Sequence, residues 1–335
     1  MPSFERESQR IVIAGASSLL GAELKSLLEE SRFAAYDFRL VDEELAAGTL
    51  TEAGGEPAVI QPVEEGSFEK ARFVFFTGSA EFTKTNLAAA KRAGGKIIDL
   101  SGALALQSAA TAWFPKLDEL LGRNFPADAP AYAIPSAAGT AAAMLTLALS
   151  KCGARRLTFE WFQPVSEAGR AGIEELESQT GQLLSFHSVG QPVFDVQIAF
   201  NMLDRYGSAS RQKLEAVRER VRSETKACAG TSMVMPSIQV IHAPVFYGTT
   251  FSACVELERG ADAGKIAKTC GDAGFALHAP GETGPNNVSA AGEKVVQLAA
   301  PEADSAHPGT WWFWGAADNI RLPAANAVKL AETLA

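Results

Sequence analysis

Apolar residues fall into two patterns along the chain. In the first third they form short continuous runs separated by stretches of helical spacing. Ile11-Val12-Ile13-Ala14, Phe38-Arg39-Leu40-Val41, Phe73-Val74-Phe75-Phe76 and Lys96-Ile97-Ile98-Asp99-Leu100 read as strands. Residues 21–30, with Leu24, Leu27 and Leu28 on one face, and residues 83–93 read as helices between them. Strands that are apolar on both sides predict a parallel sheet covered by helices on both faces. From about residue 150 the strands alternate instead. Residues 156–164, 237–245, 249–258, 294–299 and 311–316 read as half-buried strands, which suit an antiparallel or mixed sheet. Helical patterns cover residues 173–184, the strongly charged 211–226, and 324–334 at the end.

Composition narrows the class of protein. The chain has 335 residues, 47% hydrophobic and 21% charged, which fits two packed domains. A net charge of -9 gives no footprint for nucleic acid or an anionic membrane. The polar first ten residues argue against a secretory signal, and the most apolar stretch, residues 133–149, is interrupted by Pro135, Ser136, Gly139 and Thr140. It falls short of the roughly 20 residues a membrane helix needs, so a soluble cytoplasmic protein is expected. Cys152, Cys228, Cys254 and Cys270, and His187, His242, His278 and His307, show no metal-ligand spacing. No metal is expected, and the thiols read as free and mostly buried.

The clearest candidate chemistry is Gly15-Ala16-Ser17-Ser18-Leu19-Leu20-Gly21, between the first strand and the first helix. Glycines at its ends permit a tight turn and close approach of a pyrophosphate, and the helix N-terminus offers unpaired N–H groups. The middle position usually held by glycine is Ser18, whose Cβ is expected to crowd the phosphates, although Ser17 and Ser18 could also hydrogen-bond them. The alternative is a strand-to-helix turn that binds nothing. Asp42, Glu43 and Glu44 follow the second strand; they read either as acceptors for ribose hydroxyls, favouring NAD over NADP, or as a solvated acidic loop. Thr77-Gly78 falls at the carboxyl edge of the sheet, where ligands collect in open α/β folds.

Several motifs in order resemble the aspartate-semialdehyde dehydrogenase family over roughly residues 10–335. They are residues 15–21, Asp99-Leu100-Ser101-Gly102, residues 135–140, residues 163–172, Ala199-Phe200-Asn201, residues 244–248 and Ala317-Asp318-Asn319-Ile320-Arg321 with Ala324, Ala325 and Asn326. Gly169-Arg170-Ala171-Gly172-Ile173-Glu174-Glu175-Leu176, with Gln179-Thr180 beyond it, is the most specific. The resemblance implies an α/β protein: a Rossmann-type dinucleotide-binding domain (1–136, completed by 317–335) plus an α+β dimerisation domain with a mixed sheet (137–316). It implies a homodimer, a last helix that returns to the first domain, and NAD or NADP held by Gly15, Ser17, Ser18, Leu19, Leu20, Gly21, Thr77, Gly78 and Asn319.

The resemblance also says what active members use. A cysteine attacks the aldehyde, the adduct gives hydride to NADP, and phosphate cleaves the thioester, with a histidine, a glutamine and arginines assisting. Gln163 matches the orienting glutamine. Ala137 stands at the nucleophile's position, Thr249 at the histidine's, and His242 where a substrate-binding arginine belongs. Glu167 replaces a glycine, and the segment after Asp99 lacks the phosphate-binding arginine. Glu224 and Lys226 match a substrate-contacting pair loosely; on so charged a helix they also read as a solvated face. Ser136 and Thr140 could be proposed as nucleophiles, but neither has a base nearby in sequence. Cys152 reads as helix-end packing and Cys254 as core. The expectation is a catalytically degenerate paralogue with weak nucleotide binding, whose partners are itself and a small molecule or an active relative. The rivals are a working oxidoreductase with an unusual nucleophile or direct hydride transfer, and a dimer that binds no nucleotide.

Overall fold

A computed structural model describes residues 9–46, 48, 50–53, 56–107, 110–231, 233–258 and 261–335. Most of the polar first ten residues therefore lie outside the described part. The chain divides into two compact units: residues 1–114, 125–134 and 323–335 form the first, and residues 115–124 and 135–322 the second.

The first unit is built on β1 (Arg10–Ala14), β2 (Asp37–Asp42), β3 (Leu50–Ala53), β4 (Glu56–Val59), β5 (Gln61–Pro62), β6 (Ala71–Phe76), β7 (Lys96–Asp99), β8 (Ala110–Ala112) and β9 (Ala131–Ala133). Seven of these make one sheet in the order β5-β2-β1-β6-β7-β9-β8, and all its pairings are parallel. Ile11 and Ile13 point to one face and Val12 and Ala14 to the other; all four are fully buried. Burial on both faces is why these strands carry no polar alternation. Helices α1 (Leu19–Glu29) and α2 (Ala80–Ala93) connect the strands, and their inward residues include Leu24, Leu27, Leu28 and Phe82. The C-terminal helix, Arg321–Leu334, buries Ala324, Ala327, Leu330 and Ala331 in the cluster that holds Ile11, Ile13 and Phe73.

The second unit begins with α3 (Leu117–Leu121), which packs on α4 (Ala137–Ser150). Residues 115–124 group with this unit. Strands β10 (Ala154–Gln163), β11 (Ser237–His242), β12 (Thr249–Leu257), β13 (Ala276–Leu277), β14 (Gln297–Leu298), β15 (Glu302–Ala303) and β16 (Thr310–Ala317) form a mixed sheet ordered β11-β10-β12-β16-β14-β13, with β15 also on β16. Because Ala317 pairs with Thr249 in this sheet, it belongs to the second unit and not to the returning segment. Helices α5 (Gly169–Leu184), α6 (Leu214–Ala229) and α7 (Ala263–Asp272) complete the unit. The strand expected at 294–299 shrinks to two residues, and Cys254 is half-buried beside Trp312 rather than in the core, since it faces away from Phe251.

Candidate functional site

Two places hold the candidate chemistry, one in each unit. In the first, Gly15 takes φ +95°, and a Cβ there would lie 2.2 Å from the backbone nitrogen of Gly78. A Cβ on Gly21 would lie 2.5 Å from the Gly15 carbonyl oxygen. Both glycines are therefore required for close backbone approach. Ser18 needs no glycine. Its φ of -65° and ψ of 157° are ordinary extended backbone, and it caps α1. Its hydroxyl accepts from the Gly21 N–H at 2.9 Å and faces the carbonyls of Gly15 and Thr77 at 2.8 and 3.0 Å as a donor. The Ser18 hydroxyl is thus committed to capping α1 and to the carbonyls of Gly15 and Thr77. Thr77 is similarly committed, since its hydroxyl points at the carbonyls of Ala14 and Gly15.

The amides of this turn can be counted. Those of Gly15 and Ala16 donate to the Val41 carbonyl, Ser17 to the Asp42 carboxylate at 2.7 Å, Ser18 to the Gly15 carbonyl, and Gly21 to the Ser18 hydroxyl. Among the described residues, only the Leu19 and Leu20 amides of the turn donate to no protein acceptor. They are the first two of α1, where the helix dipole favours an anion. Asp42 is buried and takes the Ser17 and Glu43 amides on its two oxygens, so it holds the turn rather than standing in a solvated loop. Exposed Glu43 and Glu44 join it with Glu81, Phe82, Thr85 and Asn86 around an open cleft of about 560 Å³.

In the second unit, Ser136 caps α4 and Ala137 is its first residue, 1% exposed. Thr249 is fully buried, and its hydroxyl donates to the Phe162 carbonyl at 2.6 Å. Glu224 is no part of a solvated face: it is 2% exposed and accepts from the Ser136 amide and hydroxyl and from Arg220 Nε at 2.8 Å. Gly139 makes room for it, since a Cβ there would meet its carboxylate at 2.2 Å. Ser136 thus does have a carboxylate partner, which sequence neighbourhood could not reveal. Lys226, on the same helix, is exposed.

Around Gln163 lies a buried polar chain. Gln163 is buried close to Tyr206, and the Tyr206 hydroxyl meets His242 Nδ1 at 3.2 Å. Burial, partly countered by the Ile198 carbonyl, pushes His242 down to about 4, so its ring is neutral near pH 7. Burial raises the Tyr206 phenol, and the charge of Glu167 adds to the rise. Glu167 is exposed as a residue, yet desolvation of its carboxyl raises its pKa; Arg220 and the Asn319 hydrogen bond oppose the rise, and Glu224 adds to it. Asn319 Nδ2 donates to Glu167 Oε1 and to the Ser166 hydroxyl, both at 3.1 Å, while its Oδ1 accepts from the Gly248 amide. Asn319 thus belongs to the second unit's network. Cys152, Cys228 and Cys270 are buried; burial pushes Cys270 up to about 12 and raises Cys228 and Cys254. Among the described residues no group of three or more His, Cys, Asp or Glu could hold a metal, and no helix is long and apolar enough to cross a membrane.

Comparison with known proteins gives one consistent result. Residues 10–132 match the semialdehyde dehydrogenase NAD binding domain, and residues 147–322 match the semialdehyde dehydrogenase dimerisation domain. The chain is 28% identical to a USG-1 protein homolog of Pseudomonas aeruginosa over 330 residues, covering 97% of each. It is 26% identical to aspartate-semialdehyde dehydrogenase 2 of Vibrio cholerae, again over 97% of both. Among solved structures, aspartate semialdehyde dehydrogenase II of Vibrio cholerae superposes with a TM-score of 0.85 at 25% identity, and a probable aspartate-semialdehyde dehydrogenase of Pseudomonas aeruginosa with 0.83 at 27%. Each covers 97% of this chain and is itself covered to 98%.

Proposed function

This chain belongs to the semialdehyde dehydrogenase family, and from that premise we propose that it is a cytoplasmic, dimeric, nucleotide-binding paralogue that has lost the family's chemistry. The observation that carries this reading is Ala137 at the head of α4. A methyl group cannot attack an aldehyde, so no tetrahedral adduct forms to expel hydride. Thr249 cannot substitute for a proton-transferring imidazole, because an alcohol does not titrate near neutrality and this one is bound to the Phe162 carbonyl. The nucleotide half fits its ligand better. The Leu19 and Leu20 amides would take the pyrophosphate, and the cleft with Asp42, Glu43, Glu44 and Glu81 would repel a 2′-phosphate, favouring NAD. Bound nicotinamide supplies a hydride acceptor; here it would lack a donor.

The test pairs turnover with binding. We expect no phosphate-dependent oxidation of aspartate semialdehyde with either cofactor, and weak calorimetric binding of NAD that exceeds that of NADP. Turnover surviving removal of all four cysteines would overturn the reading, and tighter NADP than NAD would overturn its cofactor half. One observation favours a second reading, an enzyme with a serine nucleophile: Ser136 donates its hydroxyl to Glu224. Activity abolished by Ser136→Ala would select it. Against it, the same oxygen accepts from the Gly139 amide as helix cap, and a carboxylate that already takes Arg220 and the Ser136 amide is poorly placed to draw a proton from an alcohol.

A further inference from the structure

The open cleft of the first unit offers an anion little to hold. Asp42, Glu43, Glu44 and Glu81 bring carboxyl groups to it, and among its described lining residues there is no lysine, arginine or histidine. Asp42 is already occupied. It is 7% exposed, its Oδ2 accepts the Ser17 amide at 2.7 Å and its Oδ1 the Glu43 amide at 2.8 Å. The Gly15 and Ala16 amides donate to the Val41 carbonyl, so the end of β2 engages consecutive amides of the glycine turn. Amides that could cradle a pyrophosphate therefore face the protein instead. The remainder of the cleft suits hydrogen-bond donors on a flat apolar body. Glu43, Glu44 and Glu81 are exposed acceptors along it, and Pro62, Val63 and Phe82 supply apolar wall. Asn86 is half-buried, and its Nδ2 donates to the Phe82 carbonyl at 2.9 Å, which orients the amide and leaves Oδ1 and one N–H for a ligand. The exocyclic amine and N7 of an adenine edge complement that pair. Ribose hydroxyls complement carboxylates, whereas a phosphate brings only acceptors and charge of the same sign. Among the described residues of the turn, the Leu19 and Leu20 amides are left to counter that repulsion.

We propose that this cleft is a nucleoside site: it takes adenosine, or an adenosine with a neutral or cationic 5′ substituent, in preference to any 5′-phosphorylated form, NAD included. The ribose hydroxyls donate to the exposed carboxylates, the exocyclic amine donates to Asn86 Oδ1, and the base lies against the apolar wall. The inference rests on the reading that the first unit still takes an adenine nucleotide, and it names the part of that ligand the cleft selects. It also gives weak NAD binding a cause, since the adenosine end fits the cleft while the pyrophosphate meets the charge of the carboxylates and few free amides.

The probes are adenosine, inosine, AMP and NAD, titrated by calorimetry into the full-length protein in one buffer of low ionic strength. Adenosine is expected to bind about ten-fold tighter than AMP or NAD, and about five-fold tighter than inosine, whose C6 oxygen would meet Asn86 Oδ1. Asn86→Ala should abolish the preference over inosine. A triple variant, Glu43→Gln with Glu44→Gln and Glu81→Gln, keeps the acceptors and removes the charge, so it should bring AMP to within about three-fold of adenosine. Raised salt should narrow the same gap in the wild type. AMP or NAD binding as tightly as adenosine, inosine matching adenosine, or no saturation by adenosine up to about 10 mM would each overturn the proposal. Failure of the underlying reading shows elsewhere: NADP binding tighter than NAD overturns the cofactor half and leaves the order of adenosine and AMP as it stands.

Discussion

At the scale of single residues, departures in residue chemistry are easier to read from sequence than the pairings around them. Ala137 and Thr249 stand out because a methyl and an alcohol differ in kind from the thiol and imidazole that the resemblance leads one to expect. The pairings of Tyr206 with His242 and of Ser136 with Glu224 are not legible, since they join residues 36 and 88 positions apart. Ser18 shows a related limit: its φ of -65° and its cap of α1 become visible only in the fold, where they show that the backbone itself does not demand glycine. His242 carries a pH prediction. Its folded pKa is lowered to about 4 while the unfolded side chain titrates near 6.5. The unfolded state therefore binds the proton first as pH falls, and stability is whole above about 6.5 and declines toward 4 by up to about 3 kcal/mol. Glu167 and Glu175, with raised pKa values, work in the opposite direction, so the comparison must be between variants. His242→Gln should flatten the fall of Tm between pH 6.5 and 4 relative to wild type; parallel curves would refute the assignment.

At the scale of elements, long patterned segments were legible and short ones were not. Strands β1, β2, β6 and β7 and helices α1, α2, α5 and α6 fall within a few residues of their expected places. The β3–β4 hairpin, β8, β9, α3 and α7 went unread: α7 has only ten residues, two of them glycine, and β8 and β9 have three each, too few for a period to register. The Gly169 to Gln179 motif turned out to be a structural clamp. From α5, Gln179 Nε2 donates to the carbonyls of Gly190 and Val196, and its Oε1 accepts the amides of Ile198 and Ala199 at 2.8 and 3.1 Å. Glu175 accepts the Val193 amide and the Gln179 Nε2 as well. Together they satisfy the backbone of a segment that has no strand or helix of its own. Gln179→Ala leaves these buried groups unpaired and should lower unfolding free energy by about 3 kcal/mol, with new proteolytic cleavage in residues 190–199. A variant as stable and as protease-resistant as wild type would show that water replaces the amide at no cost.

At the scale of the whole molecule, the two faces of the second sheet set the argument. On one face Phe159, Trp161, Phe251 and Phe313 are buried, with α4 and α6 packed on β10 and β11. On the other, Phe162 packs on Trp314 at 5.9 Å between ring centroids, and Trp312 and Trp314 remain 43% and 40% exposed. The alternation read from the sequence therefore holds, and among the described residues nothing fully covers this second face. Two exposed tryptophans beside a half-buried phenylalanine are an unfavourable surface for a lone subunit, and burying each large aromatic is worth about 2 kcal/mol or more. A second copy meeting the same face across a two-fold axis is the economical cover, and it would place Ser252, opposite Trp314 in the ladder, inside the interface. Ser252→Arg points its charge outward from the sheet, so it should leave the subunit folded by circular dichroism while burying an unpaired guanidinium in any dimer. Sedimentation at micromolar concentration should then find a dimer for the wild type and a monomer for the variant; a wild-type monomer, or a variant that still dimerises, would move the interface to another surface.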